Sequence, residues 1–187
     1  SPTILPTPIN DFLQLKNIKN KDKNKPFLLC LCKYYPHKNL EILVPLSKVI
    51  KKRNLNLRIL ITVDKNETYE SNKFLNSIEK NNLSDVLINI GFQSFDNAYS
   101  ILKESEGLLL PTLSESYCIP YIEAFSLNKT VLTSDREFAR SVCGNAAYYF
   151  DPLNEYSIFS QIEEMLKDKK TKQKKIFTGR RIYKSIP

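Results

Sequence analysis

The chain has 187 residues, 42% of them hydrophobic with ten Phe and ten Tyr, which suits one domain with a full core and argues against disorder. Its wholly apolar runs, such as 107–111, are far too short for a membrane-spanning helix. The net charge of +8 is uneven, because 16–25 holds five Lys and one Asp and 167–181 holds eight basic residues and one Asp, leaving 15 basic and 18 acidic residues elsewhere.

The opening residues, Ser1-Pro-Thr-Ile-Leu-Pro-Thr-Pro, read as a linker, as expected of a piece of a longer protein. Short apolar runs then alternate with amphipathic stretches. Strands are expected at 27–32, 57–63, 86–90, 107–110, 130–133 and 146–150. Between the first two, Ile42, Leu43, Leu46, Val49 and Ile50 keep helical spacing. Phe74, Leu75 and Ile78 form the next stripe, then Ala98, Tyr99 and Leu102. After the last strand come Ile158, Phe159, Ile162, Met165 and Leu166. Strand and helix alternating in this way predict an α/β fold, a doubly wound and mostly parallel sheet of about six strands flanked by helices. The expected boundaries are a flank at 1–25, the folded domain at 26–168 and a basic tail at 169–187. In such a sheet the ligand lies at the carboxyl ends of the strands.

The richest of those ends follows the fourth strand. Pro111-Thr-Leu-Ser-Glu115-Ser-Tyr-Cys-Ile-Pro120-Tyr-Ile-Glu123-Ala reads as strand end, tight turn and helix, with Pro120 at the first helical position. The amides of Ile119, Tyr121 and Ile122 would face a ligand, and Glu123 falls about one turn into the helix. Such turns bind phosphate, and a carboxylate does not. Acids here therefore suggest an anionic centre flanked by hydroxyls, as in a nucleotide-sugar. Taken alone, Glu115 reads equally as a surface acid and Glu123 as a residue favouring the helix dipole.

After the first strand, Lys33 and Lys38 stand five apart in a loop opening a helix, placed to hold a diphosphate or simply to be solvated. His37 has no Cys or carboxylate at ligand spacing. Gly91, ending the third strand, permits either a turn or a close backbone approach. There is no G-x-G-x-x-G, Walker sequence, G-x-S-x-G, H-E-x-x-H or Asp-x-Asp, which argues against dehydrogenase, P-loop, hydrolase and metal-dependent chemistry. Cys30 and Cys32, two apart in an apolar strand, are read as facing opposite ways. With Cys118 and Cys143 isolated and no C-x-x-C, the cysteines are expected to be reduced thiols in a cytosolic protein. The basic flanks are either solvated or a peripheral contact with an anionic membrane; neither run interleaves aromatics as nucleic-acid binders do.

Together these residues resemble the C-terminal donor-binding domain of the family 4 (group 1) retaining glycosyltransferases of the GT-B fold. The family's E-x7-E motif is matched by Glu115-Ser-Tyr-Cys-Ile-Pro120-Tyr-Ile-Glu123-Ala, and its G-R-x4-K-[GN] loop by Cys32-Lys33 to Lys38-Asn39. Ile90-Gly91-Phe92 and the run from Val131 to Pro152 complete the set, which extends from Phe27 to about Leu166. Lys33 replaces the family's arginine, Ser116 and Cys118 replace glycines, and Asn128-Lys129 stands where a Gly is common.

The resemblance implies one Rossmann-like half of a GT-B enzyme that binds a nucleoside-diphosphate sugar. Glu123 would hold the ribose. Lys33 and Lys38 would stabilise the leaving diphosphate, with help from the backbone at Ser116, Cys118, Ile119 and Pro120, and Gly91 would lie near the base. Glu115 would hold the transferred sugar. Transfer would proceed with retention and without metal or cofactor, to a saccharide or lipid-linked acceptor held by an N-terminal domain that this chain lacks. The expected setting is polysaccharide or glycolipid biosynthesis in the cytoplasm, at the inner membrane face where the flanks bind lipid. A nucleotide-sugar epimerase or phosphorylase of the same fold, and a non-catalytic or membrane-docking module, remain alternatives.

Overall fold

The computed structural model describes residues 25–65, 67–115 and 119–186. Six parallel strands form one sheet in the order β3-β2-β1-β4-β5-β6. They are β1 (Phe27–Cys30), β2 (Arg58–Ile61), β3 (Leu87–Asn89), β4 (Gly107–Leu110), β5 (Thr130–Ser134) and β6 (Ala147–Phe150). The helices are α1 (Leu43–Lys52), α2 (Tyr69–Lys80), α3 (Phe95–Glu104), α4 (Ile119–Ser126), α5 (Glu137–Cys143), α6 (Glu155–Lys167) and α7 (Lys169–Ser185). The doubly wound expectation holds, and the strand order reverses between β1 and β4. That reversal opens a crevice at the carboxyl ends of these two strands.

The central strands are apolar throughout because helices cover both faces of a parallel sheet. β2, β4 and β5 are buried at every position. Gly107 is required by close approach, since a Cβ there would lie 2.1 Å from the Thr130 hydroxyl on the neighbouring strand. Helix entry follows local capping chemistry. Thr68 and Ser71 form a reciprocal capping box on α2, and Asn154 accepts from the amides of Tyr156 and Ser157 at the start of α6.

Four sequence expectations change. The strands at 27–32, 57–63 and 86–90 stop earlier, because side chains replace ladder bonds at their ends. Thr62 exchanges hydrogen bonds with the backbone of Cys32 (3.2 and 3.1 Å), and the Asn89 amide does the same with Val63 (3.1 and 3.0 Å). On α3 the core residues are Ala98, Ile101 and Leu102, while Tyr99 turns outward and stacks on Phe95. Cys30 and Cys32 lie on the same side, their sulfurs 3.8 Å apart, as the two-residue period of extended chain requires. That contact, and then burial, raises the Cys30 thiol well above its usual pKa and keeps it protonated.

The stretch 169–187, read as a basic tail, instead carries α7. Asp168 caps it by accepting from the Thr171 amide at 2.9 Å, which divides the charged run into two helices. α7 packs on α4, where Gly179 is buried against the Phe125 ring. Its inward lysines are tied down, Lys172 to the Glu106 carboxylate at 2.6 Å and Lys175 to the Ala147 carbonyl at 2.7 Å.

Candidate functional site

The site grows from the loop after β1. β1 ends at Cys30, Tyr35 is extended, and Pro36–Lys38 form a single 3-10 turn with Pro at its start. The turn ends at Asn39 with φ of 54°, a left-handed conformation that asparagine tolerates better than other residues with a side chain. The Asn39 amide then donates to the carbonyls of Pro111 (3.1 Å) and Pro152 (2.8 Å). One side chain thus ties the β1 loop to the loops after β4 and β6. The sequence named Asn39 only as a motif neighbour of Lys38. A polar residue able to turn the chain directly before a helix is the signal that could have found its role.

The β4 loop is held to the same turn. The carbonyl of His37 accepts from the Leu113 amide at 2.7 Å, and the Thr112 hydroxyl lies 3.0 Å from that carbonyl and 3.1 Å from Glu115 Oε1. His37 therefore contributes its backbone, while its ring stacks on Tyr35.

These ties bring two of the expected residues into direct contact. Lys38 Nζ donates to Glu115 Oε1 at 2.5 Å, and the two side chains are only 20% and 12% exposed. Seventy-seven positions apart in sequence, they meet at the switch point as a partly desolvated ion pair. Oε1 is engaged by Lys38, while Oε2 of Glu115 has no partner among the described residues.

α4 begins at Ile119, one residue earlier than expected, so Pro120 is its second residue. Its orientation is fixed from below. The buried Tyr121 hydroxyl lies 2.6 Å from Thr133 Oγ1, which donates to the Leu110 carbonyl at 3.2 Å. Ile119 is exposed and Pro120 half-buried at the end facing the crevice. Glu123 is half-buried, its carboxyl has no hydrogen bond among the described residues, and burial raises its pKa. The helix closes through Asn128 at φ of 56°, which supplies the left-handed cap where a glycine is common in the resembled family. Ser116 and Cys118, expected to flank the ligand, lie outside the described residues.

Lys33 is exposed and takes no part in the Lys38–Glu115 ion pair. With Thr62, Asp64, Glu67 and Phe92 it lines a cleft of about 220 Å³ across the ends of β1, β2 and β3. Gly91, adjacent to Phe92, has a φ of 71°, and its amide donates to Asn89 at 3.2 Å. A backbone turn therefore accounts for this glycine. The two lysines thus mark the two sides of the crevice. Asp64 and Glu67 were not anticipated, since charged residues after a strand look like ordinary loop. Among the described residues, no three His, Cys, Asp or Glu side chains gather to hold a metal, and no helix is long and apolar enough to cross a membrane.

A parallel sheet with a polar crevice at its switch point is a doubly wound α/β domain, the architecture whose ligands bind in that crevice. The family model for glycosyl transferases group 1 matches residues 11–181, and the chain belongs to that family. It is 26% identical over 156 residues to the O-antigen chain mannosyltransferase RfbU of Salmonella typhimurium, covering 83% of this chain and 41% of that protein. The fold is also that of sucrose-phosphate synthase from Thermosynechococcus elongatus (TM-score 0.76, 14% identity, 91% of this chain and 44% of that one). S. aureus TarM, solved with fondaparinux, α-GlcNAc-glycerol and UDP, is similar at TM-score 0.72 and 13% identity, over 84% of this chain and 32% of that one. The chain therefore spans about two fifths of the length of the curated relative it matches.

Proposed function

We propose that this chain is the donor-binding domain of a retaining, metal-independent glycosyltransferase acting in polysaccharide or glycolipid assembly in the cytoplasm. The observation that carries this is the Lys38–Glu115 pair, held at the switch point by the Asn39 and Thr112 ties. It sits beside a helix bearing a half-buried carboxyl at Glu123 with no hydrogen-bond partner among the described residues. Family membership and the UDP bound by TarM support a nucleoside-diphosphate sugar as the ligand.

In this reading Glu123 accepts hydrogen bonds from the ribose hydroxyls, which relieves its unmet demand for donors. Lys38 meets the diphosphate from the α4 side and Lys33 from the other, supplying positive charge where the leaving group becomes more negative. Glu115 keeps Lys38 aimed and offers its second oxygen to the hydroxyls of the transferred sugar. The bond from the anomeric carbon to the diphosphate breaks as an acceptor oxygen bonds to the same face. The acceptor's proton passes to the departing phosphate oxygen. The acceptor is a saccharide or a lipid-linked sugar held by a further domain.

Calorimetry against UDP, GDP and their sugars tests the site, with Glu123→Ala and Lys38→Ala as controls. Loss of a charge-assisted contact of about 1.5–3 kcal/mol weakens binding roughly 10- to 100-fold in each. Binding indifferent to both substitutions overturns the assignment. Scoring the same donors for epimerised product separates transfer from epimerisation.

A further inference from the structure

We propose that the outward face of α7 is a docking surface for an anionic lipid bilayer. Residues 169–185 contain eight cations and no Asp or Glu, and the fold divides those cations by face. Lys172 and Lys175 point inward and are consumed by Glu106 and the Ala147 carbonyl. Lys170, Lys174, Phe177, Arg181 and Lys184 recur at four- and three-residue steps, which places them in one stripe on the opposite side from the buried Gly179. All five are exposed, and none of the four cations has an ion-pair partner among the described residues.

A solvated helix face ordinarily mixes both signs of charge. A single-sign stripe repels itself and is retained at a cost unless a counter-surface neutralises it. The centre of the stripe is Phe177, 64% exposed, an apolar ring surrounded by cations. Cations around an exposed ring match an anionic headgroup layer with accessible acyl chains beneath it. A nucleic-acid strand is the poorer match, because stacking platforms present a succession of aromatics and this stripe has one. Docking here would hold α4, on which α7 packs, at a fixed position relative to the bilayer.

The experiment is vesicle co-sedimentation of the whole chain on phosphatidylcholine with and without phosphatidylserine. Binding should require phosphatidylserine and fall steeply with added salt. Replacing Lys170→Gln, Lys174→Gln and Arg181→Gln together should lower partitioning about 100-fold, each cation being worth roughly five-fold near such a surface. Phe177→Ser should lower it further with all charges retained. Donor binding and thermal stability should not change, since these side chains touch neither the crevice nor the core. Equal binding to neutral vesicles, salt-insensitive binding, or full binding by the triple variant, which keeps the basic run at 16–25, would each overturn the proposal. So would tighter binding to single-stranded RNA than to the anionic vesicles.

Discussion

The Glu123 carboxyl sits half-buried one turn into α4, and no donor among the described residues reaches it. Burial raises its pKa from 4.5, so the fold takes up its proton more readily than the unfolded chain does. The sign follows from that. Stability is highest while the group is protonated and declines as pH rises from the unfolded value through the raised folded one; the penalty persists above it. Glu123→Gln removes the penalty without removing the shape. Its thermal midpoint at neutral pH should equal or exceed that of the unsubstituted chain, with the advantage vanishing toward pH 4, while donor binding weakens. A helix-dipole role predicts the opposite sign, a stability loss at neutral pH. Lys38→Ala behaves differently, because it strands a carboxylate that is only 12% exposed and opposite no other cation among the described residues. It should lose both binding and about 1–3 kcal/mol of stability by denaturant titration.

At the scale of elements, the least expected feature is α7, and its attachment to α4 is narrow. A Cβ at Gly179 would meet the Phe125 ring at 2.3 Å, and Phe125 is itself buried. Gly179→Ala should therefore cost about 1–3 kcal/mol in spite of its better helix propensity, because the helices must part. Asp168→Ala, which removes the cap, should cost about 1 kcal/mol. Both are readable by thermal unfolding. The sequence revealed the six strands because each is a short apolar run, and β4 is bounded as read. It overran β1 and β2 because Cys32, Thr62 and Val63 remain apolar or buried where the ladder has already given way to side-chain clasps. α7 was hidden for a different reason. Its buried face holds one glycine, one isoleucine and the stems of two lysines, so no apolar stripe announces it. The candidate site was legible where charged residues stand at strand ends, as at Lys38 and Glu115, which the fold brings into contact. The Asn39 and Thr112 ties that bring the two together are tertiary contacts, and no local spacing encodes them.

For the whole molecule, the crevice lies at the carboxyl ends of the central strands, and residues that line it are exposed to solvent. Lys33 is exposed there, and Ile119 at the start of α4 is 57% exposed. In water a lysine 4 Å from a phosphate charge contributes about 1 kcal/mol, several-fold less than where solvent is excluded. Transfer also needs the acceptor oxygen held near the anomeric carbon, a positioning worth far more than any single contact. This chain covers 41% of RfbU, and under the function proposed above both requirements fall to a further domain facing the crevice. The isolated 187-residue chain should therefore bind nucleotide-sugar weakly, hydrolyse it slowly and transfer none of it to saccharide or lipid-linked acceptors. Fusion to an acceptor-binding domain should tighten donor binding and restore turnover, and Lys38→Ala in the fusion should abolish most of it. The measurement is release of labelled sugar from the donor, partitioned between water and acceptor. Efficient transfer by the isolated chain would show that one half of the fold can exclude water and hold an acceptor by itself.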